Sequence, residues 1–245
     1  MNVDPKIQAT LLELAGLDTE LNQLAHRRRS LPEQQVVDQL EAERLARKDA
    51  AVAVEIVIDD LDRDIRKLEA EVDAVRKRED RDRSMLAAGN VAAKQLTELQ
   101  HELGTLERRQ GVLEDELLEV MERREASQAD YQHAGAQLSR TESDLVEAQQ
   151  RRTTALADID AAHENRTELR ETVAAKLPTE LLDVYERQRA STGTGAALLQ
   201  ARRCGACRIE LDRGELSRIS ATAPDVVVRC PECSAILVRT KESGL

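Results

Sequence analysis

The sequence contains neither phenylalanine nor tryptophan, and only two tyrosines and four cysteines in 245 residues. A large globular core without big aromatic side chains would be unusual, because these side chains dominate the buried area of such cores. Helices packed through Leu, Ile, Val and Ala need none of them, and a composition rich in Ala, Glu, Leu, Arg and Lys is typical of long helices. The composition therefore predicts a mainly α-helical protein.

Long apolar runs and an excess of positive charge are also missing. No stretch approaches the roughly eighteen apolar residues of a membrane-spanning helix, so no membrane partner is predicted. The N-terminus (MNVDPK) has no apolar signal region, which predicts a cytoplasmic protein. The net charge of −11 argues against a general attraction to nucleic acid or to an acidic membrane surface.

The four cysteines form two Cys-x-x-Cys pairs, Cys204/Cys207 and Cys230/Cys233, with twenty-two residues between the pairs. Two residues between thiolates let one tight turn present both sulfurs to the same ion. A second such turn completes a tetrahedral shell and leaves no position for water. The spacing therefore predicts one structural Zn²⁺.

Two other interpretations of the cysteines fit the sequence less well. A disulfide framework requires an oxidising compartment, whereas the N-terminus favours the cytoplasm. A thiol redox enzyme usually carries one such pair at the start of a helix in a βαβ unit, and these pairs lie in a short segment punctuated by Gly and Pro. No catalytic constellation accompanies them, since the four histidines are scattered over the predicted helices, so we expect a protein that is not an enzyme. The histidines are His26, His101, His133 and His163.

A heptad-like stripe predicts the fold. From Leu96 to Val173, twenty-three positions at alternating spacings of three and four include seventeen apolar residues, which indicates one helix with a coiled-coil seam. A matching seam runs from Val54 to Val75. Gly89 can end a helix and Asn90 can cap the next one, so the two seams form an antiparallel hairpin. A turn centred near residue 88 would place Val54 against residues 120–124.

A third amphipathic helix precedes the hairpin and ends in three arginines, at residues 27–29. The sequence Ser30-Leu-Pro-Glu33 is typical of a capping box, and Pro32 predicts a kink. The predicted fold class is mainly α: a long antiparallel helical coiled-coil hairpin, kinked near Pro32, with a small C-terminal β zinc ribbon. The predicted domains are the hairpin over 1–176 with its turn near 86–91, a short helix and linker over 177–195, and the C4 zinc ribbon over 196–245.

Within the ribbon segment, strand-like residues 196–203 lead to the first cysteine pair and residues 226–229 and 236–239 flank the second as a hairpin. Asp212 is expected to cap a short helix that ends near Ser220. Residues 202–245 hold eight Arg or Lys against six Asp or Glu, so charge alone does not make the ribbon a nucleic-acid binder. The clustered arginines are nevertheless candidate contacts for a partner or a nucleic acid: Arg202, Arg203, Arg208, Arg218, Arg229 and Arg239.

Several segments together resemble a known family of bacterial coiled-coil proteins with a C-terminal C4-type zinc ribbon, long catalogued as a domain of unknown function. They are Asn90 with KQLTELQHEL (94–103), LPTELLDVYER (177–187) and the knuckles CGAC and RCPEC followed two residues later by Ile-Leu. The Ala- and Arg-rich composition is similar to that of mycobacterial, actinobacterial-type members. The resemblance implies a kinked helical hairpin with a ribbon, and the four cysteines as zinc ligands.

One branch of that family comprises flagellar regulators and chaperones that bind an alternative sigma factor and flagellin messenger RNA. Ser234-Ala235 stands here where the family commonly has Gly-Arg. This difference weakens the basic second knuckle that the resemblance associates with binding, so we expect a non-enzymatic adaptor that presents a zinc ribbon to a protein partner. The sequence does not name that partner, and transcription machinery is one class that the resemblance offers. The alternative is a nucleic-acid-binding or transcription-associated regulator acting through the ribbon arginines. The expected oligomeric state is a monomer or a weak homodimer.

Overall fold

The computed structural model describes residues 1–89 and 92–245, and these residues form five helices and four short strands. None of the described helices is long and apolar enough to span a lipid bilayer. In chain order the elements are α1 (Pro5–Arg29), α2 (Pro32–Ala87), α3 (Ala93–Ala174), α4 (Thr179–Thr192), β1 (Ala196–Gln200), β2 (Arg203–Cys204), α5 (Arg213–Ala221), β3 (Val228–Arg229) and β4 (Ile236–Val238).

The chain divides into two compact units. Unit 1 comprises Met1–Gln34 and Arg151–Leu245, and unit 2 comprises Gln35–Gln150. The ribbon strands thus share a unit with α1, α4 and the last turns of α3. The sequence-based boundary at 176 rests on the helix break at Leu177-Pro178, and the one at 195 rests on the glycine-containing joint before the ribbon; both stay predictions.

Unit 2 is an antiparallel pair of helices formed by α2 and α3, as the seams predict. The seam of α2 from Val54 to Val75 is buried or partly buried at every position. Along the stripe of α3, only Leu96, Tyr131 and Leu169 are exposed. The turn after Ala87 contains Gly89 with φ of 67°, a left-handed conformation that glycine adopts without a steric penalty. The predicted cap at Asn90 lies outside the described residues.

The register of this pair differs from the sequence-based estimate. Arg124 donates from Nε to Asp62 Oδ1 at 3.1 Å, so it lies beside Asp62 rather than Val54. Nearer the turn, Arg76 donates to Glu114 at 2.6 Å. The midpoint between the end of α2 and the start of α3 is residue 90 rather than 88. The ion pairs of Arg78 with Glu102 and of Arg109 with Glu71 are centred on the same residue 90. A midpoint two residues later shifts each predicted partner by four residues, and the length of the arginine side chain lets Arg124 reach the more distant Asp62.

The predicted break near Pro32 is present, but the predicted capping box is wrong. Helix α1 ends at Arg29 and α2 begins at Pro32, which places proline at the first helical position, where its missing N–H costs nothing. Ser30 serves the preceding helix instead, because its Oγ donates to the carbonyl of His26 at 3.0 Å. Because α2 begins at Pro32, the residue that precedes it is Leu31, and Ser30 lies one position too early to be its N-cap.

In unit 1, α1 packs antiparallel to the end of α3, and a buried carboxylate joins them to α4. Asp18 accepts hydrogen bonds from Arg170 Nε at 2.6 Å and from the Tyr185 hydroxyl at 2.6 Å. Arg189 Nε lies 3.1 Å from the same carboxylate. The Asp18 side chain is only 4% exposed. Glu186 pairs with both arginines, so the cluster holds two positive and two negative charges.

Tyr185 connects this cluster to the ribbon. Its side chain is fully buried among apolar residues of α1, α3, β1 and β4, and burial together with the Asp18 carboxylate raises the pKa of its hydroxyl. Gly195, the residue before β1, lies against the ring, where an added Cβ would be 2.5 Å from ring carbons. The core around it contains Val3, Leu11, Leu14, Val173, Leu177, Leu181, Ala196, Ile236 and Val238.

The four strands form one sheet in the order β2-β1-β4-β3. The hairpin predicted around the second cysteine pair is confirmed, because β3 and β4 pair antiparallel with Val228 opposite Leu237. The first segment divides into β1 and β2, which also pair antiparallel. The parallel pairing of β1 with β4 was not predicted, and it makes the two knuckles parts of a single sheet.

Replacing Asp18 with asparagine should destabilise unit 1 strongly. The substitution removes the charge that compensates Arg170 and Arg189, and breaking a buried pair by removing one partner typically costs about 3–5 kcal/mol. Urea unfolding followed by circular dichroism would measure this loss. The matched control is Glu20→Gln, since the exposed pair of Glu20 with Arg166 should contribute less than about 1 kcal/mol. Equal effects of the two substitutions would contradict the assigned role of Asp18.

Replacing Gly195 with alanine should lower the free energy of unfolding by about 1–3 kcal/mol, because the new methyl group overlaps the Tyr185 ring. Gly16→Ala in α1 is the control: nothing lies within 4 Å of its added Cβ, and helix propensity predicts a gain of up to about 1 kcal/mol. Thermal unfolding of both variants would test the contact. A Gly195→Ala variant with an unchanged unfolding temperature would show that the packing of the Tyr185 ring does not require glycine at this position.

Candidate metal centre

The four cysteine sulfurs meet in one cluster, with all Sγ atoms within 4.8 Å of one another. Cys204 Sγ lies 3.8 Å from Cys233 Sγ, and Cys207 Sγ lies 3.9 Å from Cys230 Sγ. Four sulfurs at about 2.3 Å from a tetrahedral zinc ion would be about 3.8 Å apart. The separations therefore fit one zinc ion bound by four thiolates. Each of these two close sulfur pairs joins one Cys-x-x-Cys turn, or knuckle, to the other.

The two knuckles have the same local geometry. The backbone N–H of Arg208 donates to the Cys204 carbonyl at 2.7 Å, and that of Ser234 donates to the Cys230 carbonyl at 3.0 Å. Each donor follows the second cysteine of its pair, and φ is 64° at Arg208 and 63° at Ser234. This left-handed backbone is unfavourable for both residue types, so the tight turns are maintained by the surrounding structure and the bound metal.

The protein environment acts on the thiols in opposite directions. Burial raises the pKa of the Cys204 thiol to about 12, and burial likewise raises the pKa of Cys233. The backbone N–H of Ile209, directed at Cys207, lowers the pKa of that thiol. A divalent cation supplies the charge that buried thiolates need, and binding it releases protons. The donor set is therefore suited to zinc and poorly suited to four free thiols.

Around the cysteines lies a core that is very small for an independent domain. Its buried members are Leu199, Cys204, Leu211, Ile219, Val228, Cys230 and Leu237. Helix α5 contributes Ile219 and begins at the predicted cap, because Asp212 Oδ1 accepts from the Glu215 N–H at 2.9 Å. Small cores of this kind need a metal or a similar cross-link, so zinc binding contributes directly to the folding of this region.

The ribbon is also attached to the helices by the N-terminal residues. The N–H of Val3 donates to the Asp225 carbonyl at 2.6 Å, and the N–H of Val227 donates to the Met1 carbonyl at 3.1 Å. Gln8 adds bonds from Nε2 to the carbonyls of Val3 at 2.8 Å and Pro224 at 3.1 Å. The first three residues of the chain therefore lie antiparallel to residues 225–227 as an additional extended segment beside the ribbon.

A second attachment runs through α4. Gln188 is 5% exposed and donates from Nε2 to the carbonyl of Cys233 at 2.7 Å. Its Oε1 accepts from Arg229 Nη2 at 3.2 Å. One glutamine therefore fixes the second knuckle to the helix. No sequence pattern marked Val3, Gln8 or Gln188, because each acts through a contact with residues distant in the chain.

The six candidate arginines differ in the contacts that they make within the fold. Arg239 is the most embedded, because its guanidinium donates to five backbone carbonyls at the end of α5 and in the following loop, those of Ile219, Thr222, Ala223, Pro224 and Val226. Burial lowers its pKa. Arg203 pairs with Glu210 at 2.7 Å and Arg218 with Glu215 at 2.6 Å.

The remaining three differ in their surroundings. Arg229 bonds to Gln188 and to the Ser234 carbonyl, so it supports the second knuckle. Arg202 and Arg208 are exposed and have no carboxylate partner among the described residues. The assignment of Arg202 and Arg208 to partner or nucleic-acid binding stays a prediction. Arg239 and Arg229, in contrast, form hydrogen bonds that stabilise the fold of the ribbon.

Comparison with known proteins agrees with this architecture. A family model described as a CT398-like coiled coil hairpin domain matches residues 14–193, and one described as a C4-type zinc ribbon domain matches residues 203–237. The chain belongs to the CT398-like coiled-coil hairpin family. The family assignment confirms the resemblance drawn from the knuckles and the helical segments.

Relatives of this CT398-like protein include mycobacterial proteins. The uncharacterized protein Rv2229c of Mycobacterium tuberculosis is 53% identical over 232 residues, which is 95% of each chain. A solved structure from Mycobacterium smegmatis has a TM-score of 0.85 at 48% identity and covers 98% of this chain and 100% of its own. The structure of CT398 from Chlamydia trachomatis has a TM-score of 0.68 at 18% identity, covering 97% and 100%, and it supports the fold alone.

Replacing Cys230 with serine should abolish stoichiometric zinc binding and unfold the ribbon, while most of the helical signal remains. The reason is that three thiolates leave the tetrahedral shell open, and the small core cannot compensate. Metal analysis by mass spectrometry and far-UV circular dichroism would measure both effects. Glu232→Gln, an exposed change inside the same knuckle, should retain one zinc per chain. A Cys230→Ser variant with full zinc content and a protease-resistant ribbon would overturn the structural role of the metal.

Proposed function

We propose that this CT398-like protein is a non-enzymatic, zinc-binding adaptor whose ribbon binds a protein partner. The observation that carries the proposal is the double attachment of the ribbon within unit 1. The N-terminal segment holds the loop before β3, and Gln188 of α4 holds the second knuckle. A recognition module attached at two places presents its outer surface in one orientation, which lowers the entropic cost of binding.

The composition of the metal site supports the same conclusion. Four protein thiolates complete the tetrahedral shell of zinc, whereas catalytic zinc sites keep one position for water or substrate. The zinc ion therefore has a structural role: it holds the two strained knuckles together at one sheet. A ribbon stabilised in this way is a rigid surface, and rigid surfaces are well suited to recognition.

Unit 2 supplies a further surface for protein contact. Leu45, Val52 and Ile56 are 57%, 43% and 55% exposed, and their spacing of seven and four residues places them on one side of α2. That side lies opposite the seam, which contains Val54, Ile58 and Leu61. A second apolar stripe on a helix that has already buried its first one is typical of a helix that pairs with another helix.

The alternative, a nucleic-acid-binding regulator, draws on the exposed arginines of the ribbon. Arg208 favours it, because its side chain is exposed beside the first knuckle. The engagement of Arg203, Arg218, Arg229 and Arg239 in bonds within the chain argues against a broad phosphate-binding surface. Phosphate contacts usually involve several unpaired cations acting together.

Cross-linked capture from a mycobacterial host would test the adaptor function. We expect tagged full-length protein to recover the same partner proteins as the Glu232→Gln variant, and the Cys230→Ser variant to lose those that depend on the ribbon. Recovery of no protein above the level of the Cys230→Ser variant would contradict the proposal.

Nucleic-acid binding is tested separately with the zinc-loaded protein and short labelled RNA and DNA at about 50 and 200 mM salt, followed by fluorescence anisotropy. Counterion release makes true phosphate binding fall steeply with salt. We expect no binding at the lower salt concentration. Micromolar binding that weakens steeply with salt would favour the regulator over the adaptor.

A further inference from the structure

An open groove of about 730 Å³ runs along α5 on the ribbon. One wall is a single face of α5, since its lining residues recur at spacings of three and four. The other wall is the C-terminal segment together with Arg202. The residues that line the groove include Arg202, Arg213, Leu216, Ser217, Ser220 and Leu245. A second, smaller cavity of about 270 Å³ shares Ser220 and Leu245 with it, so the concave surface continues toward α1.

The two charged side chains that line the groove are both positive. Arg202 and Arg213 are both exposed, and neither has a carboxylate partner among the described residues. Other ribbon arginines contrast with them, because Arg203 and Arg218 have carboxylate partners. Among the described residues that line the groove, no side chain is acidic. Arg202 Nε donates to the Gly244 carbonyl at 3.4 Å. Two guanidinium groups that lack a carboxylate side chain, next to Leu216, are complementary to carboxylates that accompany an apolar side chain.

Arg202 is held in place by an unusual backbone. Ala201 and Arg202 both have positive φ, at 46° and 67°, and they form the two-residue turn between β1 and β2. Such turns usually contain Asn or Gly, because other residues are strained in this conformation. The C-terminal segment holds the turn, since the N–H groups of Ala201 and Arg202 donate to the carbonyls of Glu242 and Ser243, each at 2.9 Å.

We propose that this groove binds an acidic peptide segment of a partner protein, with carboxylates at Arg202 and Arg213 and an apolar side chain on Leu216. The proposal rests on the adaptor function and specifies the chemistry of the partner. The turn fixes the backbone of Arg202 before binding. The Ser217 hydroxyl already donates to the Arg213 carbonyl at 2.8 Å, so its oxygen is left to accept from a peptide N–H, while the exposed Ser220 hydroxyl can donate to a peptide carbonyl. A peptide occupies such a groove as a linear motif.

Selection of a random dodecapeptide display library on the full-length, zinc-loaded protein would test the assignment. We expect the selected peptides to be enriched in Asp and Glu next to Leu, Ile or Val. The double variant Arg202→Asn with Arg213→Glu should bind the selected peptides about tenfold or more weakly. Asparagine tolerates positive φ, and glutamate is favourable in the first turn of a helix, so the ribbon of this variant should retain its zinc.

Two control variants match these changes. Arg208→Asn also replaces an exposed arginine at positive φ, and Arg218→Gln removes a charge from the same helix. Neither residue lines the groove, so both controls should bind the peptides as the unmodified protein does. Selected peptides without acidic enrichment, or equal losses in the control variants, would overturn the proposal. A labelled RNA that displaces the peptides and loses affinity in the double variant would assign the groove to nucleic acid instead.

The outcome also separates this inference from the adaptor function. Partners that are captured by the unmodified protein and equally by the double variant would leave the adaptor function standing and remove the groove from it. Capture that fails for the unmodified protein would contradict the adaptor function itself.

Discussion

A carboxylate buried among three helices organises the unit that contains the metal centre. Asp18 of α1 receives bonds from Arg170 of α3 and Tyr185 of α4 and lies beside Arg189. Because a buried charge is costly unless it is paired and hydrogen-bonded, the three helices satisfy it in one arrangement. Tyr185 then presents its ring to Gly195 at the start of β1, so the position of the sheet depends on the same contact. The ribbon is built on that sheet.

Two kinds of stabilisation meet at the ribbon. Zinc holds the knuckles from inside, where the buried core is small, and the N-terminal segment with Gln188 holds them from outside. Strained backbone at Arg208, Ser234, Ala201 and Arg202 persists only where neighbouring contacts over-determine it. Such strain at the knuckles is explained by the metal. The strain at Ala201 and Arg202 has no metal beside it, and it coincides with the wall of the α5 groove.

The arginines show why composition alone is a weak guide to function. Eight basic residues in residues 202–245 suggest a cationic surface, yet the structure gives them different tasks. Arg239 caps the end of α5 from within the fold, and Arg218 pairs along its own helix. Arg213, which the sequence did not single out, lines the groove with Arg202. A guanidinium can bind a partner's carboxylate only where the fold supplies no carboxylate of its own, and no local pattern in the sequence indicates where that is.

The sequence by itself determined the helices, their seams, the turn at Gly89, the cap at Asp212 and the four zinc ligands. Each of these depends on residues close together in the chain, where periodicity and spacing are direct consequences of backbone geometry. Only the tertiary structure decided the hairpin register, the use of Ser30 by α1, the parallel pairing of β1 with β4 and the attachment of the N-terminus to the ribbon. These features join distant residues, and many pairings satisfy the same local pattern. The choice among them came from packing and from the pairing of buried polar groups such as Asp18 and Gln188.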